Sequence, residues 1–255
     1  MNRPSPALIL ISLLAALFGT SCQTSKSKLT YLPPAKTFAS PEQLFYSVDL
    51  QQDFIQRGTA GRWKFRPMTP RYITIHSTQN FSHGADALRH SLALKRGALK
   101  GNNSLGYLTW HFTVDDRQTV QHLPTSERGE HADFDGPGNL YSIGIEMCEH
   151  AGHNRGQTID RSARLAAALM HAYNIPLQNV VPHYHWPRHQ YTTPHKNCPH
   201  FLLDDGKPGA TWNDYLKRVD FYYDQVKGQK LAGPVFPTRP GTVARLDRDN
   251  HPPSS

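Results

Sequence analysis

The sequence predicts a single α/β domain with a mixed central β-sheet flanked by helices. Segments with alternating apolar residues, typical of strands, recur between segments with helical periodicity, and one strand pair is close enough in sequence to form a hairpin. The 255 residues accommodate one domain of ordinary size plus tails, but not a second full domain. With 20 prolines and 18 glycines, we expect a domain rich in loops.

The first 22 residues resemble a bacterial lipoprotein signal peptide. A basic residue precedes a 12-residue apolar run at 7–18, which is too short to span a bilayer but suits a signal-peptide core. Small residues lead into Cys22, with Gly19 where a leucine is usual, so we expect lipidation of Cys22. Gln23 is not an acidic retention signal, which favours the periplasmic face of the outer membrane. The alternative is a soluble exported protein whose Cys22 is lost or free.

Composition divides the rest of the chain into four parts. Polar and proline-containing residues predict a tether at 23–40, and an N-terminal extension follows at 41–70 with a short helix at 41–55. The folded domain is expected over 71–227. The remainder, 228–255, is basic, rich in proline and poor in aliphatic residues, which predicts disorder.

Within the domain, periodicity predicts strands and helices in alternation. Strand patterns cover 71–78, 107–114, its hairpin partner 119–123, 141–148 and 180–181, and helical patterns cover 84–95, 158–173 and 212–226. Thr158 is the expected N-cap of the second helix, and Asn174 ends it. In the strand at 141–148, Ile143 and Ile145 share one face, so Glu146 lies on the other.

The segment 180–200 carries the chemistry that organises the chain. It holds five histidines, a lysine and a cysteine, and four prolines interrupt it, so it is too polar and too broken to form core. Imidazole and thiolate bind zinc at neutral pH, and a hydrolytic zinc takes three protein ligands with one position left for water. This loop supplies two ligands, and the third must come from elsewhere.

Three segments end on groups that suit a metal: His76 after the first domain strand, His183 after a later strand, and Cys198 in the loop. A single histidine at a strand end is more often a surface or capping residue, and the spacing from His183 to Cys198 is not that of a zinc finger. Glu146 and Lys196 make the set stronger. Zinc lowers the pKa of its water, a carboxylate takes a proton, and a cation stabilises an oxyanion.

Six blocks, in order, resemble the type 2 N-acetylmuramoyl-L-alanine amidases, peptidoglycan hydrolases related in fold to peptidoglycan recognition proteins. The match covers about 71–203, and its specificity comes from the order of separated blocks. The blocks are Tyr-Ile-Thr-Ile-His76-Ser-Thr, Trp110-His-Phe-Thr-Val-Asp-Asp116, Gln121-His-Leu-Pro, Ser142-Ile-Gly-Ile-Glu146-Met-Cys, Asn174-Ile-Pro with Asn179-Val-Val, and Lys196-Asn-Cys-Pro-His200.

The resemblance implies a zinc enzyme that cuts the amide between the lactyl group of N-acetylmuramic acid and L-alanine of the stem peptide. It places the zinc ligands on His76, His183 and Cys198, the general base on Glu146 and the oxyanion-stabilising cation on Lys196, with Trp110 and His131 lining the substrate groove. The net charge of +8 agrees, because stem peptides bear carboxylates. Peptidoglycan or muropeptides are therefore the expected partners, in place of nucleic acid, and the protein is expected to be a monomer.

Two departures from the family pattern matter. Close relatives have a shorter connection before the Lys-x-Cys pair, whereas here an insertion at 186–195 adds histidines, and His185 becomes a rival for His183 as ligand. We prefer His183 because it directly follows the Val-Val strand. Trp110 stands where several relatives carry a tyrosine near the metal, which shifts the catalytic burden to Glu146.

Three alternatives follow from the same residues. An exported protein can form disulfides, and a bridge between Cys148 and Cys198 would consume a metal ligand; we prefer Cys148 as a small buried hydrophobic residue. The fold could also serve a non-catalytic peptidoglycan-binding protein, although such relatives commonly lack the third ligand, which Cys198 supplies. A zinc peptidase that cuts within the stem peptide is the third alternative.

Overall fold

The structure is a computed structural model that describes residues 26–188, 190–231, 236–239 and 242–244. The expected signal peptide, Cys22 and His189 lie outside the described residues. Among the residues described, no helix has the length and apolar character needed to cross a membrane.

A six-stranded mixed sheet forms the centre of the domain, as the sequence predicts. Its order is β1-β4-β3-β5-β2-β6; β3 and β4 form the expected antiparallel hairpin, and the other neighbours are parallel. The strands are β1 (Leu50–Gln52), β2 (Tyr72–Ser77), β3 (Phe112–Val114), β4 (Thr119–Gln121), β5 (Ser142–Met147) and β6 (Val180–Pro182).

Within the described residues, five α-helices accompany the sheet: α1 (Pro41–Tyr46), α2 (Ala87–Lys95), α3 (Pro137–Tyr141), α4 (Arg155–Tyr173) and α5 (Ala210–Asp224). The longest, α4, begins earlier than expected. Its N-cap is Asn154, whose side chain accepts a hydrogen bond from the Gln157 amide, so Thr158 lies inside the helix rather than capping it. At the other end Asn174 adopts the left-handed conformation with φ 53°, which confirms the expected helix stop.

Alternation along the strands assigns one face of the sheet to the core. Ile73, Ile75, Ile143 and Ile145 are fully buried in the main apolar cluster, which also contains residues of α4 and α5. The intervening residues of β2 and β5 therefore face the opposite side, and His76 and Glu146 are among them. The fold thus leaves one face of its central strands for polar side chains.

From Lys28 onward the chain packs into the domain, which disagrees with a tether over all of 23–40 and with a separate extension at 41–70. The Lys28 amide donates to Thr211 Oγ1 at 3.1 Å, the Phe38 amide donates to Gln225 Oε1 at 2.6 Å, and Phe38 packs against the main core. Further on, α1 contributes buried Leu44 to that core, and β1 pairs with β4 at the edge of the sheet. Apolar side chains scattered among prolines and polar residues fix this segment, so residue 71 is too late a boundary.

The expected C-terminal tail is described only in part. Within 228–255 the chain forms a two-stranded antiparallel hairpin, β7 (Phe236–Arg239) and β8 (Thr242–Ala244). The other residues after 231 lie outside the part of the chain that is described, so disorder of the tail as a whole stays a prediction.

Candidate metal centre and substrate cavity

Three predicted ligands meet where two parallel strands end. His76 is the fifth residue of β2, His183 directly follows β6, and these strands pair with Ile75 opposite Pro182. Because parallel neighbours end at the same edge of a sheet, their histidines come together. Cys198 reaches the same point from the loop that returns after the insertion, since the Tyr184 amide donates to the Cys198 carbonyl at 3.0 Å.

The donor atoms are close enough to share one cation. Among the described residues, the ligand atoms of His76, His183 and Cys198 all lie within 4.8 Å of one another, and all three residues are buried. The two Nδ1 atoms are 2.9 Å apart, and Cys198 Sγ is 4.0 Å from His76 Nδ1. Cys198 Sγ also accepts the Ser77 amide at 3.3 Å, which fixes the sulfur in position.

Hydrogen bonds behind the two imidazoles decide which nitrogens face the cation. His183 Nε2 lies 2.9 Å from the Ala132 carbonyl, which can only accept, so Nε2 carries the proton and Nδ1 is bare. His131 Nε2 likewise donates to the Ser142 carbonyl at 3.2 Å, which leaves His131 Nδ1 as an acceptor. That atom is 2.9 Å from His76 Nε2, so His76 Nε2 carries a proton and its Nδ1 is also bare.

Two unprotonated Nδ1 atoms therefore face each other at 2.9 Å. Two lone pairs at that distance repel unless a cation lies between them, and bonds of about 2.0–2.1 Å from each nitrogen suit zinc. A proton does not replace the cation easily, because burial lowers the pKa of His183 to about 3 and the pKa of His76 well below its usual value. The donor set of two imidazoles and one sulfur fits zinc with a position left for water.

Glu146 stands next to the ligands on β5, where the sheet register places it opposite His76. Its Oε1 is 3.8 Å from His76 Nδ1, and its Oε2 is buried without a hydrogen-bond partner in the described part of the chain. Burial, and after it the charge of Glu149, raise the pKa of Glu146 to about 8. A carboxyl group held in this way is suited to take up and release a proton near neutral pH.

The ligands and Glu146 lie in a cavity of about 340 Å³. Lys196, which is exposed, lines it, as do the predicted groove residues Trp110 and His131. Trp110 is buried and donates from Nε1 to Thr113 Oγ1 at 2.7 Å, so it forms a fixed wall. The cavity is thus open to solvent on the Lys196 side and closed behind the ligands.

The family described as N-acetylmuramoyl-L-alanine amidase matches residues 66–201 of the chain. The amidase XlyA of Bacillus subtilis strain 168 is 42% identical over 169 residues, which are 66% of this chain and 50% of XlyA. The amidase CwlH of the same strain is 36% identical over 198 residues, which are 77% of this chain and 70% of CwlH. This chain belongs to the N-acetylmuramoyl-L-alanine amidase family.

The fold agrees with that of solved structures in the family. The catalytic domain of XlyA superposes with a TM-score of 0.56 at 40% identity, covering 67% of this chain and 98% of that domain. The match to full-length XlyA covers half of its length.

His131 has a part in this amidase-family site that the sequence does not reveal. Predicted only as a groove residue, it also accepts the Nε2 proton of His76 and so fixes the tautomer of that imidazole. The ring needs room beside β5: a Cβ at Gly144 would lie 2.9 Å from its atoms. Glycine in the Ser-Ile-Gly-Ile-Glu block is the one sequence signal of this close approach.

A second missed feature holds the loop that carries Cys198. Glu149 is buried, and its Oε1 accepts the Gln79 amide at 3.1 Å, while its Oε2 lies 3.4 Å from His200 Nε2. His200 follows Cys198 by two residues, so the pair connects the end of β5 to the ligand loop. Nothing in the sequence pattern joins Glu149 to His200.

The structure also answers two questions that the sequence left open: whether Cys148 and Cys198 form a disulfide, and whether His183 or His185 is the ligand. Cys148 and Cys198 are both free, so the disulfide between them is wrong, and Cys148 packs in a small apolar cluster as preferred. His185 is not in the ligand group found among the described residues; its ring packs edge-on against Trp186. His183 is therefore the better ligand.

Proposed function

We propose that this chain is a zinc-dependent N-acetylmuramoyl-L-alanine amidase that hydrolyses the amide between the lactyl group of N-acetylmuramic acid and L-alanine in peptidoglycan or its fragments. The observation that carries the proposal is the convergence of two bare imidazole nitrogens and a sulfur beside a buried carboxyl group. Membership of the amidase family supports the choice of substrate bond.

The residues present divide the reaction among them. Zinc held by His76, His183 and Cys198 would supply an acidified water and a Lewis acid. Glu146 takes the proton of the attacking water and delivers it to the leaving amine, for which a pKa near neutrality is suited. The ammonium group of Lys196, at the open side of the cavity, supplies positive charge for the oxyanion of the tetrahedral intermediate.

The test uses the full chain, loaded with zinc, and a purified muropeptide. We expect release of a stem peptide with a free L-alanine amino group, identified by mass, and loss of that product on removal of zinc with a chelator. Glu146→Gln should lower kcat by at least about 100-fold and leave zinc content unchanged. Asp224→Asn, at the exposed end of α5, is the matched control and should keep wild-type activity.

Two results would contradict the proposal. Cleavage within the stem peptide would indicate a peptidase, and muropeptide binding without any cleavage by the zinc-loaded protein would indicate a non-catalytic binding protein.

We also propose that Cys22 is lipidated and anchors the protein at the periplasmic face of the outer membrane, on the basis of the apolar run at 7–18 and the small residues before Cys22. Growth with a labelled fatty acid should label the wild-type protein and leave Cys22→Ser unlabelled. Equal labelling of both would disprove the anchor.

A further inference from the structure

The insertion at 186–195, together with the ligand loop, makes one wall of the cavity cationic. Residues 186–200 contain no aspartate or glutamate, whereas they contain Arg188 and Lys196. His195 and Lys196 line the cavity, and the His195 ring lies 5.3 Å from that of His183. The insertion is therefore part of the site rather than a distant surface loop.

Trp186 anchors the start of the insertion. It is 4% exposed, its Nε1 donates to Thr74 Oγ1 at 2.9 Å, and its ring packs edge-on against Tyr72 at 5.1 Å. A backbone bridge between Pro187 and Pro194 then closes the excursion and returns the chain to the ligand loop. The backbone at Arg188 is therefore held by the buried Trp186 on one side and by the bridge between Pro187 and Pro194 on the other.

Arg188 is an exposed residue beside the cavity and contacts the rings of Phe134 and Tyr191. Its guanidinium carbon lies 4.5 Å from the centre of the Phe134 ring, and Phe134 lines the cavity. Phe134 itself is fixed, because its carbonyl accepts from Arg128 Nη2 at 2.9 Å and from Asn139 Nδ2 at 2.6 Å. A guanidinium that lies over an aromatic ring keeps N–H donors with which it can bind a planar acceptor.

Two carboxyl groups line the cavity, Glu130 and Glu146, and Glu146 lies beside the metal ligands, with its Oε1 3.8 Å from His76 Nδ1. Arg188 takes part in none of the ion pairs formed by the described residues. Glu130, which lines the cavity, is already paired with Arg66 and accepts from Asn139. An anionic group of the bound ligand that reaches past Phe134 would therefore meet an unneutralised guanidinium beside the cavity.

We propose that Arg188, stacked on Phe134, binds a carboxylate of the stem peptide and makes the enzyme prefer stem peptides with free carboxylates over amidated ones. The inference rests on the proposed amidase function and adds to it a residue that determines specificity. A guanidinium with its edge free matches a carboxylate with two parallel hydrogen bonds, and a carboxamide offers only one acceptor oxygen and no charge.

The experiment compares muropeptides that differ only by conversion of one stem-peptide carboxylate at a time to a carboxamide. For one of these positions, the wild-type zinc-loaded chain should show a KM about tenfold lower for the free carboxylate. In Arg188→Gln the KM values for the two substrates should become equal while kcat stays within about twofold of the wild type. In Arg188→Lys part of the difference in KM should remain. Arg96→Gln, an exposed charge at the end of α2 outside the cavity lining, should keep the full ratio.

Binding of the isolated stem peptides to each variant is measured in parallel by calorimetry. A wild-type ratio that persists in Arg188→Gln, or a wild type that does not distinguish any carboxylate from its amide, would overturn the inference. If neither the wild type nor any variant cleaves muropeptides, but the wild type binds free-carboxylate peptides and Arg188→Gln does not, the amidase proposal fails and the carboxylate site stands.

Discussion

Replacement of Glu146 by glutamine should stabilise the metal-free protein at alkaline pH and have little effect at acidic pH. In the fold, burial raises the pKa of Glu146 from an ordinary 4.5 to about 8. A carboxyl group whose pKa is raised on folding favours the folded state while it is protonated. That contribution is complete below pH 4.5 and is lost as the pH rises towards 8.

The size of the effect follows from the interval between these two pKa values. At 1.36 kcal/mol per pH unit, the interval from 4.5 to about 8 corresponds to about 4.8 kcal/mol. This is an upper limit, because 14% of the side chain contacts solvent and water can relax around the charge. We therefore expect the free energy of unfolding of metal-free Glu146→Gln to exceed that of the wild type by about 2–4 kcal/mol at pH 8.5.

Thermal unfolding followed by circular dichroism, in the presence of a chelator, measures this difference. The melting temperature of Glu146→Gln should exceed that of the wild type by about 5–15 °C at pH 8.5 and by little at pH 5. Zinc should shrink the difference at pH 8.5, because a cation beside the carboxylate favours its charged form. A difference in melting temperature of equal size at both pH values would refute the reasoning, because it would come from packing, which does not depend on the protonation of Glu146.

Three further outcomes test the site. Cys198→Ser should lower zinc affinity at least about 100-fold in a chelator competition, because a neutral hydroxyl replaces the thiolate; unchanged affinity would remove Cys198 from the ligand set. His131→Phe takes away the acceptor of the His76 Nε2 proton and should weaken zinc binding about 10–100-fold while the circular dichroism spectrum stays native. Glu149→Gln should lower kcat with zinc still bound, because the Cys198 loop loses the charge that His200 faces; a wild-type kcat would contradict this role.

Long elements with strong periodicity were predictable from sequence, because each carries its own pattern. The alternation in β2 and β5 fixes which side chains enter the core, and α4 has apolar residues along most of its length. The segment at 28–38 was not predictable in this way. Its few apolar side chains are separated by prolines, and its partners Thr211 and Gln225 lie more than 180 residues away in sequence.

The candidate site likewise has a part that the sequence predicts and a part that it does not. His76 and His183 follow from their positions at strand ends, and motif order adds Glu146 and Cys198. The contacts behind them do not follow, because His131 acts on His76 across 55 residues of sequence and through a hydrogen bond to a main-chain carbonyl. Residue type gives no information about a tautomer. Only the arrangement of acceptors around each ring fixes which nitrogen is bare.

The register of the central strands links the fold to the chemistry. On β2 and β5 the isoleucines occupy the face packed against the helices, so every intervening residue must face the other way. His76 and Glu146 are neighbours because they occupy the same pair position in that register. A slip of one residue in β5 would turn Glu146 into the apolar core and place an isoleucine beside the metal ligands. Burial of the isoleucines, about 1.5–3 kcal/mol for each, therefore also holds the carboxyl group 3.8 Å from the ligand nitrogen.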